Sequence, residues 1–187
     1  MFSHNELKKG TLFILNNQPC EVLEHSLVFK GRGSSVMQVK VKNLINGNTL
    51  SKTFHPNEEF KEAEIEKVDL EFIYSRNVKY IFCNPDNQSE RTELLEEQIG
   101  PSAKFLKQNQ MITGLVFDNK IINIILPIKV KLKVTEAPPG IKGNRAESGT
   151  KQVTLETGAI VSAPLFIKQD DIIEINTEAG QYTRRIE

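Results

Sequence analysis

Phe29-Lys30-Gly31-Arg32-Gly33-Ser34-Ser35-Val36-Met37-Gln38-Val39-Lys40-Val41-Lys42 is the stretch on which the fold turns. Glycines on both sides of Arg32 supply the positive-φ conformations that reverse a chain tightly, and the flanking runs are strand-like, so a hairpin with Arg32 at its tip is expected. Met37, Val39 and Val41 alternate with Gln38, Lys40 and Lys42, so one face packs and the other presents cations. Taken alone, Gly-Arg-Gly reads first as a solvated turn. What points to function is that Lys30 and Arg32 meet at the place farthest from any core, where an always-charged guanidinium grips phosphate bidentately.

Outward from this hairpin, apolar residues keep recurring with period two in short runs separated by Gly, Asn, Asp and Pro. Such runs are Thr11 to Leu15, Cys20 to Phe29, Val36 to Leu44, Val68 to Tyr74, Val78 to Cys83, Ile112 to Phe117, Ile121 to Leu126, Lys129 to Thr135, Asp171 to Asn176 and Gln181 to Ile186. The expected class is all-β. Only Thr92 to Ile99 and a piece around Ala103 to Leu106 carry a helical pattern.

Phe105-Leu106-Lys107-Gln108 and Phe166-Ile167-Lys168-Gln169 lie 61 positions apart, and at that offset Leu94 meets Leu155, Ile99 meets Ile160, Ile112 meets Ile173 and Ile125 meets Ile186. Both copies continue into strand, tight turn and strand, so residues 66–126 and 127–187 read as two copies of one small barrel, with residues 1–65 a third unit. Units of about 60 residues bury little apolar surface alone, and closing into barrels removes their edges.

The 24 basic and 24 acidic residues of the 187-residue chain exclude a histone-like polycation but leave room for a local nucleic-acid patch. Net charge is +1 for residues 1–64, −2 for 65–128 and +1 for 129–187, so no unit is a dedicated polycation. No apolar run approaches the about 20 residues that span a bilayer, and Lys8 and Lys9 interrupt any signal-peptide core. Isolated Cys20 and Cys83 fit a reducing cytoplasm. Scattered His4, His25 and His55, and the missing phosphate-loop motif, argue against an enzyme; a zinc site from these cysteines and histidines is the weaker reading. Phe72, Tyr74, Tyr80 and Phe82 alternate as packing residues do, and Asp170 and Asp171 fit two solvated acids on a turn.

Several segments resemble the bacterial elongation factor P family. Lys30-Gly31-Arg32-Gly33 followed by Val39-Lys40-Val41-Lys42-Asn43-Leu44 is similar to its tip loop and following strand. Phe54-His55-Pro56-Asn57-Glu58 looks like a further family segment with a changed turn. Thr150-Lys151-Gln152-Val153-Thr154-Leu155-Glu156-Thr157-Gly158-Ala159-Ile160-Val161, Pro164-Leu165-Phe166-Ile167 and Gly180-Gln181-Tyr182-Thr183-Arg184-Arg185 resemble its C-terminal signature. Two departures stand out: Lys30 occupies the usual proline position, and Gly140-Ile141-Lys142-Gly143-Asn144-Arg145 differs from Gly-Leu-Lys-Gly-Asp-Thr.

The resemblance implies a KOW- or Tudor-like barrel at 1–65 and OB-folds at 66–126 and 127–187. It also implies a non-catalytic translation factor that enters the ribosome beside the peptidyl-site tRNA when synthesis stalls, notably at consecutive prolines. Lys30, Gly31, Arg32, Gly33, Ser34, Lys40 and Lys42 would then be tRNA-binding, and Gly143, Asn144 and Arg145 a contact loop of the last domain. It implies no cofactor, no membrane, a monomer in the cytoplasm, and rhamnosylation of Arg32 by a tip-modifying enzyme. An unmodified Arg32 or use of Lys30 remains the alternative for the tip. The competing functions are an elongation factor P-like paralogue and a non-ribosomal OB-fold protein that binds single-stranded RNA.

Overall fold

The structure is a computed structural model that describes residues 1–30, 34–138 and 149–186. It is nearly all β, as the alternation predicts. The chain forms two compact units, Met1–Asp69 with Glu97–Ile99 and Thr113–Ile124, and Leu70–Glu96 with Gly100–Ile112 and Ile125–Glu187.

The first strands are β1 (Phe2–Ser3), β2 (Leu12–Leu15), β3 (Gln18–Lys30), β4 (Ser34–Asn43), β5 (Thr49–Phe54) and β6 (Glu59–Phe60). β2 to β5 pair in chain order, and β1 pairs with β6. Asn16 and Asn17, both at positive φ, make the two-residue turn from β2 to β3. Inside, Phe13 meets Phe60 edge-on at 5.4 Å and Phe54 edge-on at 6.2 Å, within a core that includes Leu7, Val22, Val39 and Val41.

The second sheet contains β7 (Glu66–Arg76), β8 (Lys79–Asn84), β9 (Asn87–Leu95), β10 (Gln110–Phe117) and β11 (Lys120–Ile125), in the order β11-β10-β7-β8-β9. Helix α1 is only Glu96–Ile99, and a 3-10 turn covers Pro101–Phe105. The helix expected from Thr92 is therefore corrected: Thr92, Glu93, Leu94 and Leu95 pair with Phe82, Ile81, Tyr80 and Lys79. Leu94 is buried against the core while Leu95 points outward, the alternation of a strand. Asp118 and Asn119, both at positive φ, close the tight β10–β11 turn that the sequence anticipates.

The third sheet holds β12 (Lys129–Glu136), β13 (Thr150–Leu155), β14 (Ile160–Pro164), β15 (Ile172–Asn176) and β16 (Gln181–Ile186), in the order β14-β13-β12-β15-β16. Counted from the first strand of each sheet, both five-stranded sheets have one order, 5-4-1-2-3. The repeat seen in sequence is thus a repeat of topology. Phe105, from the turn before β10, is fully buried in the cluster formed by Val130, Leu132, Val134, Val153, Leu155 and Ile173.

Candidate nucleic-acid interface

The β3–β4 hairpin follows from its sequence. Pairing runs without interruption from Glu24 opposite Lys40 to Lys30 opposite Ser34, which leaves residues 31–33 as the connection in sequence. Gly31, Arg32 and Gly33 lie outside the described residues, as do Gly143, Asn144 and Arg145. At the other end Asn43 ties the hairpin down: its side-chain amide donates to Gln18 Oε1, and its Oδ1 accepts from the Ile45 and Asn46 amides at 2.8 and 3.2 Å. A buried amide with both ends satisfied fixes the strand exit.

Burial falls away toward the distal end on the face of Met37, although Val36 on the opposite face stays buried. Val39 and Met37 are core residues, but Leu27, opposite Met37, is 41% exposed and Phe29 is 78% exposed. These two apolar side chains were not expected to face water, because the alternation that places them on the packing face does not say where that face runs out of partners.

On the other face Gln38 and Lys40 line up with Ser26 and Glu24 on β3 and with Thr53 and Ser51 on β5. Together with His25 and Lys52 they line a groove of about 410 Å³. Lys40 is less free than the sequence suggests, since its Nζ lies 3.3 Å from Glu24 Oε1. Both side chains are well exposed, so the pair stabilises by less than about 1 kcal/mol and opens readily to a stronger anion. Lys42 is half-buried, opposite Glu21.

The remaining candidates separate clearly. Phe72, Tyr80 and Phe82 are buried and mutually packed, with ring centroids 5.5 to 5.8 Å apart from Phe72, so Tyr74 is the exposed member of that set. Asp170 pairs with Lys133 at 2.8 Å and holds its ammonium pKa above the usual lysine value, whereas Asp171 accepts the Lys168 amide at 2.8 Å. Cys20 and Cys83 are buried thiols, and burial pushes the Cys20 pKa up. Among the described residues no group of three or more metal-ligating side chains comes together, and no helix is long and apolar enough to cross a membrane.

Known proteins supply the family. The description "Elongation factor P (EF-P) KOW-like domain" matches residues 3–60, "Elongation factor P (EF-P) OB domain" residues 65–124, and "Elongation factor P, C-terminal" residues 130–185. The chain belongs to the elongation factor P family. Elongation factor P of Alkaliphilus oremlandii is 36% identical over 187 residues, with 100% of each chain covered. That of Prochlorococcus marinus (strain MIT 9301) is 38% identical over 185 residues, 99% of each. A solved structure titled eukaryotic translation initiation factor 5A from Methanococcus jannaschii superposes with a TM-score of 0.50 at 14% identity, over 66% of this chain and 92% of that one, which bears on fold alone. Elongation factor P proteins are translation elongation factors that act on the ribosome without enzymatic chemistry.

Proposed function

We propose that this chain binds the ribosome next to the peptidyl-tRNA and promotes peptide-bond formation at stalls such as consecutive prolines, with the hairpin tip holding the tRNA 3′ end. The observation that carries the reading is the β3–β4 ladder, which continues past the last core side chains to Lys30 and Ser34 and so supports Arg32 from both sides in sequence. The groove beside it, with Lys40 and Lys52, supplies a path for the phosphate backbone.

No acid, base or nucleophile is needed for such help. Proline fixes its φ and crowds the reacting ester, so aligned geometries are rarely visited. Holding the tRNA end raises that fraction, and roughly 1.4 kcal/mol of positioning already gives about tenfold in rate. Rhamnose on Arg32, a tip-modifying enzyme and a monomeric, cytoplasmic protein belong to the same proposal.

The test is Arg32→Ala in a reconstituted synthesis of a Pro-Pro-Pro peptide. The variant is expected to melt like the parent and to lose at least about tenfold in rescue rate. Rescue at the parent's rate would remove the tip from the mechanism.

A further inference from the structure

A second cationic surface lies in the unit built around the last barrel, on residues that the proposed function does not use. Lys129, Lys131 and Lys133 alternate along β12 with buried Val130, Leu132 and Val134, so the three ammonium groups share the outer face of the sheet. Alternate residues on a strand repeat at about 6.7 Å, which makes this central strand a regular ladder of charge. Across the sheet Lys131 faces Glu174, which in turn faces Arg184.

Glu174 is only 5% exposed and sits beneath two exposed cations: Arg184 donates to its Oε2 at 3.1 Å, and Lys129 Nζ lies 3.3 Å from its Oε1. One buried carboxylate thus fixes the places of two surface charges. Glu156, an exposed residue, pairs with Lys107 at 3.1 Å while accepting the Lys133 amide at 2.9 Å. Five cations (Lys107, Lys129, Lys131, Lys133 and Arg184) face three carboxylates (Glu156, Asp170 and Glu174), an excess of two positive charges.

We propose that the groove of about 450 Å³ lined by Lys107, Gln108, Gln110, Met111, Lys129 and Lys131 holds the phosphodiester backbone of a single RNA strand. Evenly spaced ammonium groups match a polymer whose charge repeats at every unit. Gln108 and Gln110 carry amide donors and acceptors of the kind that ribose hydroxyls and base edges require, the Gln110 oxygen also accepting the Lys107 amide at 3.0 Å, and half-exposed Met111 with Pro127 offers an apolar wall to an unstacked base. An acidic protein segment would use the lysines but leave these amides and this apolar wall without a role.

The measurement is fluorescence anisotropy of the full chain with a labelled, mixed-sequence single-stranded RNA of about 12 nucleotides, across a salt series. Binding is expected to be weak and salt-sensitive. Lys131→Gln should raise Kd about fivefold at 0.1 M salt and flatten the logarithmic salt slope by about 0.7, the value for one lost phosphate contact on a single strand. Lys168→Gln, an equal charge loss elsewhere in the same barrel, should change Kd by less than about twofold. Equal weakening by both variants, unchanged binding by Lys131→Gln, absence of binding at low salt, or competition by polyglutamate as strong as that by unlabelled RNA would each overturn the proposal. Because the assay uses free RNA and compares Lys131→Gln with Lys168→Gln, neither of them on the hairpin, its outcome is separable from that of the stalled-peptide test.

Discussion

β11 and β16 hold the same place in two sheets of identical strand order, yet their surfaces are opposite. β11, Lys120-Ile121-Ile122-Asn123-Ile124-Ile125, is buried through Ile122, Asn123 and Ile124, and Ile122 packs with Leu44 and Leu115 against Leu12, Ile45 and Ile65. β16, Gln181-Tyr182-Thr183-Arg184-Arg185-Ile186, leaves Arg184 and Arg185 in water. At the 61-residue offset Asn123 corresponds to Arg184, and Phe105 to Phe166. Asn123 donates to the Leu44 and Gln98 carbonyls at 3.1 and 2.8 Å, whereas Arg184 reaches only as far as Glu174 on the neighbouring strand. Phe105 is fully buried; Phe166 is 57% exposed, with the Arg185 guanidinium 5.8 Å from its ring centre. A repeat therefore conserves the ladder and changes what each copy is joined to.

The sharpest way to break this contrast is to truncate the paired phenylalanines. Phe105→Ala should cost about 3 to 5 kcal/mol in chemical denaturation, because a buried phenyl leaves a cavity, while Phe166→Ala should stay within about 0.5 kcal/mol. Equal losses would mean that burial does not separate the two positions. A smaller effect is expected of Asn123→Ala. It strips the buried Leu44 carbonyl and the part-buried Gln98 carbonyl of this donor and should lower stability by about 1 to 3 kcal/mol, again by denaturation.

The mildest change distinguishes the copies by pH. The Arg184 hydrogen bond, with Lys129 adding its charge, holds the Glu174 carboxyl below its usual value of 4.5. The stability this provides is complete above that value and is lost as pH falls toward the depressed folded-state pKa. Melting temperatures of the parent protein should therefore drop more steeply below about pH 5 than those of Glu174→Gln, and the two curves should converge in acid. Parallel curves would show that the carboxylate is not linked to folding.

Much of this was readable from residue order. Strands with one packed and one wet face, such as β4 and β12, announce themselves by alternation, and the two sheets of like strand order by their shared offset. Two edge strands do not. β9 buries Leu94 alone and β5 buries Phe54 alone, so neither carries a period to detect. In β3 the pattern is broken by a bulge between Val22 and Glu24, which sends Glu24 outward although its parity matches buried Cys20 and Val22. The candidate site was legible as chemistry, an arginine between glycines on a long hairpin, because backbone rules act locally. The Lys107–Lys129–Lys131 groove was not, since its walls come from segments about 20 residues apart whose meeting depends on Phe105.

Phe105 stands ahead of β10 in chain order and inside the following barrel in space. A recombinant piece cut at residue 127 would be severed from a wall of its own interior, with the Gly180 turn, whose added Cβ would meet the Phe105 ring at 3.9 Å, facing an empty hollow. Anyone excising the last sixty residues for separate study has to begin upstream of Pro101, or supply a substitute for the missing ring.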